Sequence, residues 1–340
     1  MKAMLLPKPR PIDQHPLELV DLAPPIAGPG ELRLRVEACG ICRTDLHIIE
    51  GDLSLPKLPV IPGHQIVGVV DQVGDGVTRF REGDRLGIPW LFSTCGQCSF
   101  CQRNQENLCD AARFTGYHVD GGYAEFVVAP EHFAHPLPSR FSPAQASPLL
   151  CAGVIGFRAL RQSKVRPGQR LGLYGFGGSA HIAIQIAIHW GCEVYVFTRS
   201  EEHRALARQL GAHWTGRAED SPPNRLDSAV IFAPVGRLVL EALRVLAKGG
   251  TVALAGITMS PIPELDYALL YHERSIVSVA NSTRQDVLDL LQLAADLPIR
   301  TEVQTFPLEE ANHALRLLKQ SQFRGAGVLT THSTPTAPDL

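Results

Sequence analysis

The sequence predicts an α/β protein in which a doubly wound parallel-sheet domain follows a β-rich, irregular one. Three observations carry this. From Arg170 onward, short apolar strands alternate with helical segments, an alternation that forces parallel pairing through right-handed crossovers. Before it, apolar runs are broken by Pro and Gly, as in strands joined by turns. Between them, about residues 91–112, lies a polar lobe with four cysteines and little hydrophobic pattern. Its 340 residues, 45% hydrophobic and 19% charged, fit two soluble domains better than one core. A formal net charge of −2 and the absence of a Lys/Arg block argue against nucleic-acid or polybasic membrane partners and for small molecules. The start Met1-Lys-Ala-Met-Leu-Leu-Pro carries no leader-like apolar run and no stretch reaches membrane-spanning length, so a cytoplasmic, membrane-free protein is expected. In such a compartment eight cysteines point to metal or redox chemistry rather than disulfides.

In chain order, Met1 to about Gly30 reads as edge strands and turns, and Leu32–Val36 alternates strictly, as a half-buried strand does. It runs into Cys39-Gly-Ile-Cys-Arg-Thr-Asp-Leu-His47, which gathers thiol, hydroxyl, carboxylate and imidazole within nine positions. Such a cluster is half a metal site or a chance grouping in a buried turn. Leu55–His64 is too proline-dense for helix or central strand, which puts His64 on a rigid loop; Ile66–Val73 resumes a buried strand, and Gly83-Asp84 marks a turn. Cys95, Cys98, Cys101 and Cys109 are separated by two, two and seven residues. Four thiolates suit a closed structural zinc site. An iron–sulfur cluster fits less well, because the ferredoxin run places its fourth Cys after three residues and before Pro, whereas Asp110 follows here. Cys39 and Cys192 are left as small buried hydrophobes.

Cys151–Leu160 looks like a helix start near a domain boundary. Then come strand Arg170–Tyr174, the turn Gly175-Phe-Gly177-Gly178-Ser179-Ala180, helix Ile182–Trp190, strand Glu193–Phe197 and helix Glu201–Leu210. Strand Ser228–Phe232, helix Leu238–Leu246 and strand Thr251–Ala255 follow. Ala180 stands where the third glycine of a dinucleotide fingerprint is commonest, but a glycine turn between strand and helix can still seat a pyrophosphate on free backbone N–H groups. The second strand ends in Thr198-Arg199-Ser200 rather than in an acidic residue that would hold the ribose 2′-OH of NAD. No carboxylate there repels a 2′-phosphate, and Arg199 can pair with one, so NADP(H) is favoured over NAD(H). After Asp296 the pattern is mixed again, with a helix-like Leu308–Lys319, a short strand near Gly327–Leu329 and a Thr/Pro-rich tail from Thr331.

The Cys39–His47 cluster, Pro62-Gly-His64, the cysteine quartet, and Leu150-Cys-Ala-Gly-Val154 ahead of the strand–turn–helix unit together resemble the zinc-containing alcohol dehydrogenases of the medium-chain dehydrogenase/reductase superfamily. The resemblance spans nearly the whole chain. It implies a Rossmann coenzyme domain, 154–295, inserted in a GroES-like catalytic domain formed by 1–153 and 296–340. It also implies two Zn²⁺ per chain, a catalytic ion on Cys42, His64 and Cys151 and a structural ion on Cys95, Cys98, Cys101 and Cys109; open Cys₂His sites of this kind are a known property of alcohol dehydrogenases. Zinc would act as Lewis acid while hydride passes between an alcohol or aldehyde and the nicotinamide. The proton would leave through Thr44, the cofactor ribose and His47, and Asp45 would orient His64. Gly175, Gly177, Gly178 and Ser179, with Thr198, Arg199 and Ser200, would hold the cofactor. A homodimer or homotetramer is expected.

Two positions depart from the family pattern. Gln65 stands where many relatives carry Glu, so it cannot serve as a transient anionic ligand and should leave the zinc more electrophilic. Near the C-terminus Ala326 occupies the register of a phosphate-contacting Arg, and the preceding Arg324 is left without a role. Trp90, Leu91 and Phe92 line an apolar substrate pocket or belong to the core. The competing functional readings are an NAD(H)-dependent polyol or secondary-alcohol dehydrogenase and, in another class, a non-catalytic cofactor-binding protein.

Overall fold

The computed structural model describes residues 1–322 and 325–331; Arg324 and the tail beyond Thr331 lie outside the described residues. Two units form, one from Met1–Cys151 with the segment from Thr283 and one from Ala152–Ser282.

The first unit is built on the strand Glu31–Ile41, which buries every second residue (Leu32, Leu34, Val36, Ala38) and then all of Ala38 to Ile41. Irregularities in its register at Arg33/Leu34 and Val36/Ala38 bend it. It pairs antiparallel with Ile66–Val73, with Phe126–Pro130 and with the late strand Ala326–Thr330, where Leu329 faces Cys39. That last pairing makes the unit discontinuous, because the strand beside the first half's central strand comes from the end of the chain. Arg85–Ile88 and His135–Pro136 extend the same sheet at one edge and Val303–Pro307 at the other.

The return to this unit comes at Thr283, earlier than the expected residue 296, because the helix Arg284–Asp296 is fastened to it. Buried Glu106, in the cysteine lobe, accepts from the Arg284 backbone N–H at 3.0 Å and its Nε at 3.3 Å, and the Arg284 guanidinium lies over Phe133. The segment Arg43–Glu50 is a helix, where the sequence suggested only a functional cluster or capped turn. Its N-cap is Cys42, whose sulfur accepts from Thr44 N–H while Asp45 Oδ2 accepts from Cys42 N–H at 2.9 Å. This is a capping box with sulfur in the place of the usual hydroxyl.

The second unit is a six-stranded, all-parallel sheet in the order Trp214–Gly216, Glu193–Phe197, Arg170–Tyr174, Leu226–Ile231, Leu246–Leu254, Ser275–Ser278. The order reverses between Arg170–Tyr174 and Leu226–Ile231, and open α/β sheets bind ligands outside the strand ends at such a point. The helix after the glycine turn begins at Gly178, ahead of the expected Ile182, and runs to His189. No helix among the described residues is long and apolar enough to cross a membrane.

Two imidazoles are buried away from any anionic partner among the described residues. Burial, then the charges of Arg79 and Arg284, hold His135 down at about 3, and burial holds His181 at about 4. An unfolded His binds its proton near pH 6.5, so as pH falls below that value the unfolded chain takes up protons that the native one refuses. Stability is unaffected above pH 7 and is lost as pH falls from about 6.5 toward the folded values, by up to about 1.4 kcal/mol per pH unit for each residue. Urea midpoints at pH 7, 6, 5 and 4.5 should fall less steeply for His135→Gln than for the native chain, and parallel curves would refute this account.

Candidate metal centres and dinucleotide site

Three distant segments are drawn together at the Gln65 carbonyl, which accepts the Gly40 N–H at 3.0 Å and the Ser147 hydroxyl at 2.8 Å. Close approach requires glycine at 40, since a Cβ there would lie 2.9 Å from both Gln65 Nε2 and Ser147 Oγ. The consequence is a cluster of Cys42, His64 and Cys151, whose ligand atoms all lie within 4.8 Å of one another. Cys42 Sγ is 3.1 Å from His64 Nε2. On the far side of the ring, His64 Nδ1 is 2.9 Å from Asp45 Oδ1, and both side chains are wholly buried. The carboxylate therefore keeps the proton on Nδ1 and leaves Nε2 as a lone-pair donor aimed at the cysteine.

The donor set fits Zn²⁺: two sulfurs and one imidazole nitrogen, with three protein ligands leaving a fourth position open. The electrostatics agree. Burial, then Cys151, push the Cys42 thiol well above its usual value. His64 is also pushed up: burial opposes its charge, but Asp45 and Cys42 outweigh it. For Cys42 the chief cause is burial, which disfavours a thiolate lacking a compensating charge; a bound dication would supply that charge.

The cysteine quartet forms a second cluster. Sulfur separations are 3.5 Å for Cys95–Cys109, 3.6 Å for Cys98–Cys101 and 3.9 Å for Cys95–Cys101. Zn–S bonds of about 2.3 Å in a tetrahedron place sulfurs about 3.8 Å apart, so the lobe is already spaced for the ion. The backbone N–H groups of Gln97 and Cys98 aim at Cys95 Sγ and hold its thiol down at about 6. Leu91, Ala112 and Phe133 give the lobe only a small core of its own, which is why a metal staple matters there.

Thr44 and His47 stand three residues apart on the Arg43–Glu50 helix, hence on one face. Trp90 is 4.8 Å from His64, edge-on, and stacks on Phe114. Leu91 and Phe92 point elsewhere, Leu91 into the lobe's core and Phe92 into the main core, so of the three only Trp90 borders the cluster. Sequence reading missed Tyr123, whose buried hydroxyl is pushed up by burial and then by Asp45; a lone Tyr after two glycines carried no signal.

In the second unit, the turn after Arg170–Tyr174 opens the Gly178–His189 helix with Gly177 as its N-cap, and no atom lies within 4 Å of where a Gly177 Cβ would be. Ser179 is in the helix's first turn. The backbone at Gly177 and Gly178 favours the protonated form of the buried His181 imidazole but does not overcome burial. Thr198 is buried and bonded through its N–H to the Gly216 carbonyl. Ser200 caps the helix Glu201–Gln209 by accepting from His203 N–H at 3.2 Å. Arg199 is exposed and has no ion pair among the described residues, whereas neighbouring Arg204 is bound to Glu201 at 2.6 Å and to the Thr198 carbonyl at 2.8 Å.

A three-donor metal cluster and a thiolate quartet in one unit, and a glycine turn at the switch point of a parallel sheet in the other, define the class: a metal-dependent, nucleotide-cofactor dehydrogenase. The alcohol dehydrogenase GroES-like domain matches residues 28–139 and the zinc-binding dehydrogenase domain residues 178–296. A probable alcohol dehydrogenase, AdhA, of Mycobacterium tuberculosis is 49% identical over 97% of both chains. Among solved structures, an NAD-dependent alcohol dehydrogenase superposes with a TM-score of 0.90 at 28% identity, covering 98% of this chain and 100% of that one. A cinnamyl alcohol dehydrogenase of Sorghum bicolor does so at 0.89 and 26%, covering 99% of each. The chain belongs to the zinc-containing alcohol dehydrogenases of the medium-chain dehydrogenase/reductase superfamily.

Metal analysis of the purified protein should return about two zinc ions per chain. Cys98→Ser should lower the count to about one and reduce the melting temperature markedly. Cys151→Ser should also bind about one, abolish turnover and leave the melting point closer to native. Equal thermal losses from the two would contradict the division into staple and working site.

Proposed function

We propose that the protein transfers hydride between a primary or secondary alcohol, or the corresponding aldehyde or ketone, and NADP(H). The convergence of Cys42, His64 and Cys151 with Asp45 behind the imidazole carries this reading. When bound, zinc supplies a Lewis acid for the substrate oxygen and the nicotinamide a hydride acceptor or donor. The chain's own residues do the rest. Cys42, His64 and Cys151 hold the ion, and Asp45 fixes the His64 ring so that Nε2 faces it. Thr44 Oγ1 takes the proton released from the substrate hydroxyl, and His47 passes it to solvent. Trp90 beside His64, backed by Phe114 and Tyr117, favours aliphatic or aromatic alcohols over polyols. Cys95, Cys98, Cys101 and Cys109 hold the structural ion.

For the cofactor, Gly175, Gly177, Gly178 and Ser179 receive the pyrophosphate on backbone N–H groups. Arg199, exposed and not claimed by a carboxylate, pairs with a 2′-phosphate, with Thr198 and Ser200 at its sides. The NAD(H) alternative draws support from the structural neighbour described as NAD-dependent.

Turnover of benzyl alcohol, short aliphatic alcohols and sorbitol with NADP⁺ and NAD⁺ separately tests both points. Benzyl alcohol with NADP⁺ should be the best pair, and chelation that empties the site should abolish it. Arg199→Asp should lower kcat/KM for NADP⁺ by roughly 10- to 100-fold, the loss of one or two charge-assisted hydrogen bonds, with little change for NAD⁺. Faster sorbitol oxidation with NAD⁺ would reject the proposal.

A further inference from the structure

Behind the metal cluster stands a buried tyrosine that neither the ligand set nor the proton path uses. Tyr123 is wholly buried, and its segment is laced to the loop that delivers His64. The N–H groups of Gly121, Gly122 and Tyr123 donate to the carbonyls of Ile61, Gly63 and Pro62 at 2.7, 3.0 and 2.9 Å, and the Tyr123 carbonyl accepts the Met4 N–H at 2.8 Å. The ring packs on the bare α-carbon of Gly63, the residue before His64. A Cβ there would fall 2.4 Å from Tyr123 Cδ1 and 2.9 Å from Cys39 Sγ, and Gly63 holds a φ of +99°, where side chains are strained. Glycine at 63 therefore leaves the space through which the tyrosine reaches the cluster.

What it reaches is Asp45. Burial pushes the Tyr123 hydroxyl up first and the Asp45 charge second, with smaller parts from Cys39, Cys42 and a hydrogen-bonding approach to Asp45. The approach falls short of full alignment: the hydroxyl and Asp45 Oδ1 are both buried without a well-aligned hydrogen bond among the described residues. A buried polar group left so costs about 1–3 kcal/mol. The wholly buried carboxylate accepts the Cys42 N–H on Oδ2 and lies 2.9 Å from His64 Nδ1 on Oδ1. A carboxylate has room for about four donors. The hydroxyl needs an acceptor and the carboxylate can take a further donor.

We propose that Tyr123 is a positioning residue for the metal centre: its O–H donates to the Asp45 carboxylate and holds that group facing His64 Nδ1, which leaves Nε2 aimed at the ion. Turning the carboxylate away would loosen the His64 ring and also the Cys42 N–H that caps the Arg43–Glu50 helix. One hydroxyl thus steadies both an imidazole and a thiol ligand. The proposal rests on reading Cys42, His64 and Cys151 as the zinc ligands.

Tyr123→Phe keeps the ring and removes only the hydroxyl, so it is the informative variant. Zinc release from the holoenzyme into an excess of a chromogenic pyridylazo chelator is followed for the native protein, Tyr123→Phe, Asp45→Asn, Tyr123→Phe/Asp45→Asn and Cys151→Ser, with melting temperatures alongside. Cys151→Ser should keep only the quartet ion, so the phase it lacks belongs to the catalytic ion. Tyr123→Phe should speed that phase roughly tenfold, at the lower end of what groups behind a metal ligand contribute. The quartet phase should stay as it is and the melting temperature should change little. In the Asp45→Asn background, Tyr123→Phe should add almost nothing. The proposal is overturned if Tyr123→Phe leaves the catalytic phase unchanged, speeds both phases alike as general loosening would, or acts in full without the carboxylate. Where Asp45→Asn does not fold, the phase-specific response of Tyr123→Phe decides. A Cys151→Ser protein that still shows both phases would overturn the ligand assignment, and the role of Tyr123 with it.

Discussion

The Gln65 carbonyl oxygen is the joint on which the metal centre depends. Two hydrogen bonds, from Gly40 N–H and Ser147 Oγ, clamp the end of the central strand, the start of its neighbour and the 3₁₀ helix Ser147–Leu150 at one buried point. Cys42 lies two residues beyond the first donor, His64 one residue before the acceptor and Cys151 four residues beyond the second donor. Breaking either bond would strand a buried polar group at about 1–3 kcal/mol. The geometric effect is larger than the energetic one, because metal ligands tolerate displacements of only a few tenths of an ångström.

Around that joint the same groups serve fold and chemistry at once. Asp45 closes a helix N-terminus through one oxygen and orients His64 through the other. Cys42 caps that helix with the sulfur that faces His64. This carboxyl group sits at zero exposure with one oxygen accepting the Cys42 N–H and the other 2.9 Å from the His64 ring. The cysteine lobe takes the other course. Its ligands come from one local segment, its sulfurs are spaced by backbone N–H groups and by each other, and it leans on the first unit through Glu106 and Arg284.

Much of this was legible beforehand. The quartet's spacing, the glycine turn between strand and helix, and the alternation of the second unit are local patterns, and local patterns survive in sequence. The Arg43–Glu50 helix was not, because its cap is a cysteine and its first turn is crowded with polar residues that read equally as a turn. Nor was the return at Thr283, since it depends on hydrogen bonds from Arg284 to Glu106, 178 positions away in the chain. The run Trp90-Leu-Phe92 looked like one apolar surface, and strand alternation divided it between two cores.

By itself the sequence determined which groups were available: two thiols and an imidazole in three separate segments, four thiols in one, and an arginine where an acid would select NAD. Their types and short-range spacings are covalent facts. Only the tertiary structure decided which of them meet. The approach of Gly40, Gln65 and Ser147 and the pairing of His64 with Asp45 depend on long-range pairing. Contacts of that kind are set by how strands pack and chains reverse, and no spacing along the chain encodes the distance between them.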